Sequence, residues 1–198
     1  MTEALAAKWD AFYRDSDSDC HPVPILRQHM YLLPRKGHCL DLACGLGANS
    51  IFLAEFGLTV DAWDISQVAL QKLQQQADLQ GFLPIQCRQV NIQANSLPKN
   101  QYDVIVVSRF FDRRLSDAII SALKPNGILF YQTFTREKLD STGPTNPDYL
   151  LKRNELLRLF SPLTVVYYQE FANLGDLKFA NRNEAMLIAQ KPHVELNS

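Results

Sequence analysis

The stretch Cys39-Leu40-Asp41-Leu42-Ala43-Cys44-Gly45-Leu46-Gly47-Ala48-Asn49 decides the fold of this chain. A short apolar run ends in an acid, a turn of small residues follows, and a helical pattern then begins. The next apolar run, residues 58–63, ends in a second acid, Asp64. In a doubly wound α/β sheet, such a pair of strand ends forms a nucleoside pocket, because small residues let the backbone approach the ligand.

Strand and helix patterns alternate after this stretch, which predicts an open parallel sheet with helices on both faces. Strand patterns cover residues 38–42, 59–63, 85–90, 102–108 and 128–133, and helix patterns cover 48–56, 66–80 and 115–123. Ser66 and Gly81 are predicted to cap the second of these helices at its two ends. Two further helices are predicted near the N-terminus, over residues 4–13 and 24–33.

The alternation stops after Phe134. A polar loop over 135–149 leads to a predicted helix at 150–160 and to two strand patterns, 163–171 and 184–190, which favour an antiparallel hairpin at the sheet edge. We therefore predict one domain over residues 1–198. Its parts are an N-terminal helical lid (1–36), a cofactor-binding core (37–134), and a substrate cap loop, helix and edge hairpin (135–190).

Composition disfavours several classes of function without excluding nucleic-acid binding. The 198 residues include 20 Lys and Arg against 21 Asp and Glu, so the chain has no electrostatic footprint of a nucleic-acid-binding protein. Its apolar runs are too short to span a bilayer, and its first residues lack the pattern of a signal peptide. These features predict a cytoplasmic protein, monomeric or homodimeric, that acts on a small molecule and does not bind a membrane.

The four cysteines do not form a metal-binding or disulfide pattern. None of them belongs to a CxxC pair, and their spacings suit no common zinc site. We therefore expect reduced, partly buried thiols and no metal. The cysteines are Cys20, Cys39, Cys44 and Cys87.

Four motifs together resemble those of class I S-adenosylmethionine-dependent methyltransferases. Residues 41–47 match the glycine-rich first motif, Asp64 matches the ribose-binding acid, 102–107 match the fourth-strand motif, and 123–127 resemble the Leu-Lys-Pro-Gly-Gly turn. Trp9-Asp10-x-Phe12-Tyr13 and residues 142–146 are similar to the tellurite-resistance and thiopurine-methyltransferase type. The resemblance implies a Rossmann-like, seven-stranded, mostly parallel sheet with an antiparallel C-terminal hairpin and the strand order 3-2-1-4-5-7-6.

The resemblance also implies the half of the site that binds S-adenosyl-L-methionine. Gly45 and Gly47 are expected under its methionine and ribose, and Asp41 is expected to orient the amino group. Asp64 is expected to accept hydrogen bonds from both ribose hydroxyls. The further residues are Ala43, where the family often has glycine, and Asn49, which could contact the carboxylate end or simply cap its helix.

The adenine and the reacting methyl group are expected to lie near the ends of strands two, three and four. Ile65 is expected to pack on the adenine face, and Asn91, followed by Ile92, is expected where the family often has an acid for the adenine amino group. Ser108 ends strand four beneath the expected methyl position. Trp9 and Tyr13 could form an aromatic lid, or could belong to an ordinary amphipathic helix.

Arg109 is the candidate catalytic residue, because a guanidinium in a cleft holds an oxyanion through two hydrogen bonds. The alternative is a salt bridge to Asp112 or to another acid. The sequence thus predicts a methyltransferase whose acceptor is a small anion, a thiol or a chalcogen compound. Alternatives are methylation of RNA or protein, a cofactor-binding module without catalysis, and a nicotinamide oxidoreductase, which Ser50 disfavours because the last position of G-x-G-x-x-G is Gly or Ala.

Overall fold

The computed structural model describes residues 2–16, 21–81 and 85–193. The helices are α1 (Thr2–Arg14), α2 (Pro24–Gln28), α3 (Ala48–Glu55), α4 (Gln67–Gln80), α5 (Ser116–Ala122) and α6 (Glu155–Leu159). The strands are β1 (His38–Leu42), β2 (Thr59–Asp64), β3 (Ile85–Gln89), β4 (Tyr102–Ser108), β5 (Leu123–Phe134), β6 (Thr164–Gln169) and β7 (Glu184–Gln190).

The seven strands form one sheet in the order β3-β2-β1-β4-β5-β7-β6, which confirms the predicted topology. The strands β1 to β5 are parallel, whereas β7 runs antiparallel to both β5 and β6. The carboxyl ends of β1 to β6 and the start of β7 therefore lie at the same edge of the sheet. This edge brings the glycine-rich turn, Arg109 and Glu184 to one side of the molecule.

The core fills both faces of the sheet, because the central strands are apolar on each side. Val104 and Val106 of β4 belong to the buried cluster that also contains side chains of α3 and α4, such as Leu73. Ile105 and Val107 of the same strand point to the opposite face. The glycine-rich turn after β1 is thereby anchored to a strand that is buried on both faces.

The predicted limits of α4 are confirmed in detail. Ser66 Oγ accepts a hydrogen bond from the backbone N–H of Ala69 at 3.1 Å. Gly81 adopts a left-handed conformation, with a φ of 73°, at the carboxyl end of the helix. Ser66 also follows Asp64 closely, so this helix start lies beside the candidate ribose-binding acid.

Two predicted elements after β4 are different in the structure. The helix predicted at 150–160 is reduced to α6, because Leu151 pairs with Thr135 and its N–H donates to Phe134 O at 2.9 Å. Strand β5 begins at Leu123 instead of 128, since the predicted turn is drawn into the sheet: Asn126 N donates to Lys191 O at 2.9 Å.

The other differences are small. The helix predicted at 24–33 consists of α2 and a separate 3-10 turn over Met30–Leu32. Cys39 and Cys44 are buried free thiols and Cys87 is partly buried, while Cys20 lies outside the described residues. Within the described ranges, no helix is long and apolar enough to cross a membrane.

Candidate functional site

The turn between β1 and α3 needs small residues because of its backbone and its neighbours. Gly45 and Gly47 have φ values of 55° and 80°. A Cβ on Gly47 would lie 2.2 Å from Leu73 Cδ1, and one on Gly45 would lie 2.8 Å from the hydroxyl oxygen of Tyr13. Ala43 also has a positive φ, 58°, which explains why glycine is favourable there.

Asp41 is a fully buried carboxylate beneath this turn. Its Oδ2 accepts a hydrogen bond from Ser50 Oγ at 2.6 Å, whereas Oδ1 is buried and has no partner among the described residues. Burial raises the pKa of Asp41 to about 6, although the hydrogen bond from Ser50 opposes this rise. A buried acceptor without a donor is costly, so this oxygen is suited to a donor supplied by a ligand or by water.

Asp64 is held in place by two backbone groups. Its Oδ2 accepts from Gly45 N and its Oδ1 accepts from Ser66 N, both at 2.8 Å. Burial raises the pKa of this carboxyl, and the same backbone hydrogen bonds partly counteract the effect. Each oxygen of an ionised carboxylate has a further lone pair, so Asp64 can still accept hydrogen bonds from a diol.

The turn lies in a region of negative potential. The charge of Asp64 raises the pKa of Asp41, and the charge of Asp10 raises that of Asp64, although burial makes the larger contribution in both cases. Three carboxylates so close together favour a cationic ligand and disfavour the pyrophosphate of a dinucleotide.

Helix α1 lies directly over the turn and is attached to α4 at two places. Asp10 Oδ1 accepts from Ser66 Oγ at 2.6 Å and from Val68 N at 3.2 Å. Lys72 Nζ donates to three carbonyl oxygens at the carboxyl end of α1, at distances of 2.8, 3.0 and 2.8 Å. These contacts bring the stacked rings of Trp9 and Tyr13, whose centroids are 5.9 Å apart, to the candidate site.

The expected adenine-side residues come together at the ends of β2 and β3. Val90 N donates to Asp64 O at 2.8 Å, and Gln89 Nε2 donates to Ile65 O at 3.1 Å. Asn91 and Ile92 continue from this junction and are half-buried, as is Ile65. The carboxyl ends of β2 and β3 therefore place these three side chains near Asp64.

Asn49 connects the start of α3 to two distant segments instead of capping the helix. Its Nδ2 donates to Ser108 Oγ at 3.0 Å, and its Oδ1 accepts from Val23 N at 2.9 Å. The N-cap position of α3 is occupied by Gly47, which has no side chain to serve as a cap. Asn49 thus ties the end of β4, with Ser108, to the glycine-rich turn.

Arg109 forms a salt bridge, but not with Asp112. Its Nε donates to Glu184 Oε1 at 3.0 Å, while Asp112 is paired with Arg114 at 2.6 Å. The backbone of Arg109 is left-handed, with a φ of 52°. A non-glycine residue in this conformation is uncommon and is often found near functional sites.

Two buried residues next to Arg109, Glu184 and Gln132, were not predicted from the sequence as site residues. Glu184 and Gln132 are 3% and 0% exposed, and Gln132 Nε2 donates to Glu184. Gln132 Oε1 in turn accepts from Ile25 N at 3.0 Å, at the start of α2. The available signal was a polar residue in each of two mostly apolar strand patterns, Gln132 near the end of one and Glu184 at the start of the other, since such groups are buried only with partners.

Comparisons with known proteins agree with this architecture. A family model described as "Tellurite resistance protein TehB" matches residues 31–187. A protein of Bacillus subtilis (strain 168) named "Putative methyltransferase YqeM" is 33% identical over 121 residues, which cover 57% of this chain and 48% of that protein.

The species Haemophilus influenzae provides two further comparisons. Its "Probable S-adenosyl-L-methionine-dependent methyltransferase TehB" is 27% identical over 150 residues, covering 73% of this chain and 51% of that protein. The crystal structure of TehB from this species superposes with a TM-score of 0.70 at 21% identity, over 93% of this chain and 67% of that one, and indicates a shared fold. The chain spans about half the length of the two curated relatives.

Proposed function

This chain belongs to the family of the tellurite resistance protein TehB, within the class I S-adenosylmethionine-dependent methyltransferases, and we propose that it transfers a methyl group to a small acceptor. The acceptor that we propose is an anion, a thiol or a chalcogen compound. The observation that carries the proposal is the buried Oδ1 of Asp41, which has no partner among the residues that the structure describes and lies beside Asp64 at the glycine-rich turn. A cation with a donor at one end and a diol at the other complements these two carboxylates.

We assign the cofactor-binding roles as follows. Asp41 and Asn49 face the amino-acid end, Asp64 binds the ribose hydroxyls, and Gly45 and Gly47 allow the turn backbone to approach the ligand. Trp9 and Tyr13 cover it from α1. The adenine is bounded by Ile65, Asn91 and Ile92, and Ala43 and Ser108 lie along the path between the turn and the acceptor.

Bound S-adenosylmethionine would supply a methyl group on a positively charged sulfur: the acceptor would bond to the methyl carbon while the C–S bond breaks, and S-adenosylhomocysteine would be the leaving group. The protein then has to align the acceptor and exclude water. Arg109 is the residue that we propose for the acceptor: its positive charge holds an anion and favours the thiolate form of a thiol. Cys44 is not a competing nucleophile, because burial raises its pKa well above the usual range and keeps the thiol protonated.

Calorimetry with S-adenosylmethionine tests the cofactor assignment. We expect binding by the wild-type chain and, for Asp64→Asn, an affinity reduced by roughly 100-fold, since two hydrogen bonds to a charged group are weakened. Asn keeps the shape of Asp and can still accept one backbone hydrogen bond, so the variant should fold. Absence of binding by the wild type would refute the proposal.

A transfer assay tests the acceptor class. Radiolabelled cofactor and cell extract are incubated with the protein, and the label is followed into small-molecule and macromolecular fractions. We expect the label among the small molecules. Label in RNA or protein would instead indicate a macromolecular acceptor, and binding without transfer to any nucleophile would indicate a module without catalysis.

A further inference from the structure

Glu184 is a buried acid on the acceptor side of the sheet edge, and the function proposed above gives it no role. It is the first residue of β7 and is 3% exposed. Its carboxylate accepts hydrogen bonds from Arg109 Nε at 3.0 Å, from Asn181 Nδ2 at 2.6 Å and from Gln132 Nε2. Gln132 and Asn181 hold the carboxylate from the protein side, so its position is fixed before Arg109 is considered.

Arg109 contacts the Glu184 carboxylate through a single guanidinium nitrogen, Nε. Its side chain is 63% exposed, and only Nε contacts Glu184. Within the part of the chain that the structure describes, neither Nη nitrogen of Arg109 has a protein acceptor. The N–H groups on these nitrogens form the outer edge of the guanidinium, which matches the geometry of a carboxylate or another oxyanion.

The two neighbouring arginines show that this arrangement is particular to Arg109. Arg113 uses Nε, Nη1 and Nη2 to hold Glu155 and two carbonyl oxygens. Arg114 uses Nε and Nη2 to hold Asp112. Of these three arginines, Arg109 is therefore the one whose Nη nitrogens are both available to a ligand.

We propose that Glu184 is a positioning residue that orients Arg109, so that the outer edge of the guanidinium recognises an oxyanion carried by the methyl acceptor. This inference rests on the proposed function, and it specifies the acceptor class more narrowly. A long arginine side chain that is already fixed loses less conformational entropy when the acceptor binds. The link from Ser108 to Asn49 attaches the residue that precedes Arg109 to the cofactor half of the site.

A matched pair of thiols tests the role of the oxyanion. The probes are 2-mercaptobenzoate and benzenethiol, which differ by one carboxylate, and selenite serves as an inorganic oxyanion. Binding is measured by calorimetry on the protein saturated with S-adenosylhomocysteine, and transfer is measured with the methyl donor. We expect the wild type to bind 2-mercaptobenzoate, or selenite, at least about tenfold more tightly than benzenethiol.

Three variants separate positioning from general damage. Arg109→Met should abolish the preference for the oxyanion, and Glu184→Gln should raise the KM for the oxyanion about tenfold with little change in kcat. The double variant should show no further loss, because both changes remove one interaction. Arg114→Met, at an exposed arginine five residues away, is the control and should retain the preference.

The possible outcomes distinguish this inference from the function on which it rests. A preference for selenite but not for 2-mercaptobenzoate supports it and identifies the chalcogen oxyanion as the ligand. Equal binding of all the probes, no binding of any of them, or a preference that survives Arg109→Met overturns it. Failure of the wild type to bind S-adenosylhomocysteine would instead count against the proposed function itself.

Discussion

The two halves of the candidate site are built in different ways. The centre of the cofactor half, at the ends of β1 to β3, is built from residues close in sequence: Gly45 and Asp64, which are hydrogen-bonded, are 19 residues apart. The acceptor half, at the ends of β4 to β7, joins residues that are far apart: 75 residues separate Arg109 from Glu184. Gln132 extends this half to Ile25, 107 residues away.

This difference has a physical cause. A ligand-binding turn between a strand and a helix imposes its requirements locally, through positive φ values and close backbone approach. The acceptor half instead depends on which distant strands the sheet places side by side. Substitutions in the two halves should therefore affect cofactor binding and acceptor binding separately, and the following experiments probe the two halves in turn.

The largest effect is expected for Gly47→Ala in the cofactor half. The new Cβ would lie 2.2 Å from Leu73 Cδ1. The φ of 80° at this position would also require the alanine to adopt a left-handed conformation. Backbone strain and overpacking together should lower the free energy of unfolding by about 4 kcal/mol. Chemical denaturation measures this loss.

Gly81→Ala is the matched control for that experiment. Gly81 has a similar φ, 73°, but a Cβ there would have no atom within 4 Å. We expect a loss of only about 1 kcal/mol, which is the backbone strain alone. Equal losses at the two positions would mean that the contact with Leu73 does not constrain the turn.

The next effect is expected for Arg113→Met in the acceptor half. Arg113 makes two hydrogen bonds to Glu155, at 2.7 and 3.0 Å, and also holds the carbonyl oxygens of Asp148 and Leu150. Removal of one partner of a largely buried ion pair should cost about 3 kcal/mol of stability. The affinity of the folded protein for S-adenosylmethionine should not change.

Arg114→Met serves as the comparison, because the side chain of Arg114 is 86% exposed. It should alter stability by less than about 1 kcal/mol. A loss of cofactor affinity in Arg113→Met, measured by calorimetry on the folded variant, would show that the two halves are coupled.

The difference between local contacts in the cofactor half and long-range contacts in the acceptor half also explains what could be predicted from the sequence. The alternation of strands and helices, the caps of α4 and the glycine-rich turn follow from local periodicity and from turn chemistry, whereas the sheet order was implied by the family resemblance; the structure has all of them as predicted. The partner of Arg109 could not be predicted, since no local pattern relates residue 109 to Glu184 on another strand. The helix predicted at 150–160 was too long for a similar reason: the pairing of Leu151 with Thr135 overrides its helical pattern.

Lys72→Met should have a smaller effect, limited to α1. Lys72 Nζ donates hydrogen bonds to the carbonyl oxygens of Tyr13, Arg14 and Ser16. Their loss should destabilise the packing of α1 over the glycine-rich turn by about 2 kcal/mol. Hydrogen exchange should show faster exchange in α1 and unchanged exchange in β4. Because Tyr13 contacts the turn at Gly45, we also expect faster association of S-adenosylmethionine.

Lys99→Met is the control for Lys72→Met, because Lys99 is an exposed lysine on the connection between β3 and β4. It should leave the exchange of α1 unchanged. If α1 is equally protected in Lys72→Met and in the wild type, Lys72 is not what holds this helix over the cofactor half.

The smallest effect concerns the pH dependence of cofactor binding through Asp41. Burial raises the pKa of Asp41 from 3.8 to about 6, so the folded protein keeps a proton that the unfolded chain has already lost. The free energy of unfolding therefore falls as the pH rises from about 4 to about 6, and this contribution is constant above that range. An ammonium donor at Oδ1 requires the ionised form, so cofactor affinity should change in the opposite direction, rising about tenfold between pH 5 and pH 7.

Calorimetry in buffers with different ionisation enthalpies measures the proton that is released on binding. The wild type should release most of one proton at pH 5 and little at pH 7, since Asp41 is by then already ionised. Asp41→Asn keeps the size of the side chain and an oxygen for Ser50, and should bind more weakly with no pH dependence in this range. Equal affinity of the wild type at both pH values would remove Asp41 from the cofactor half and leave Asp64 as its principal anchor.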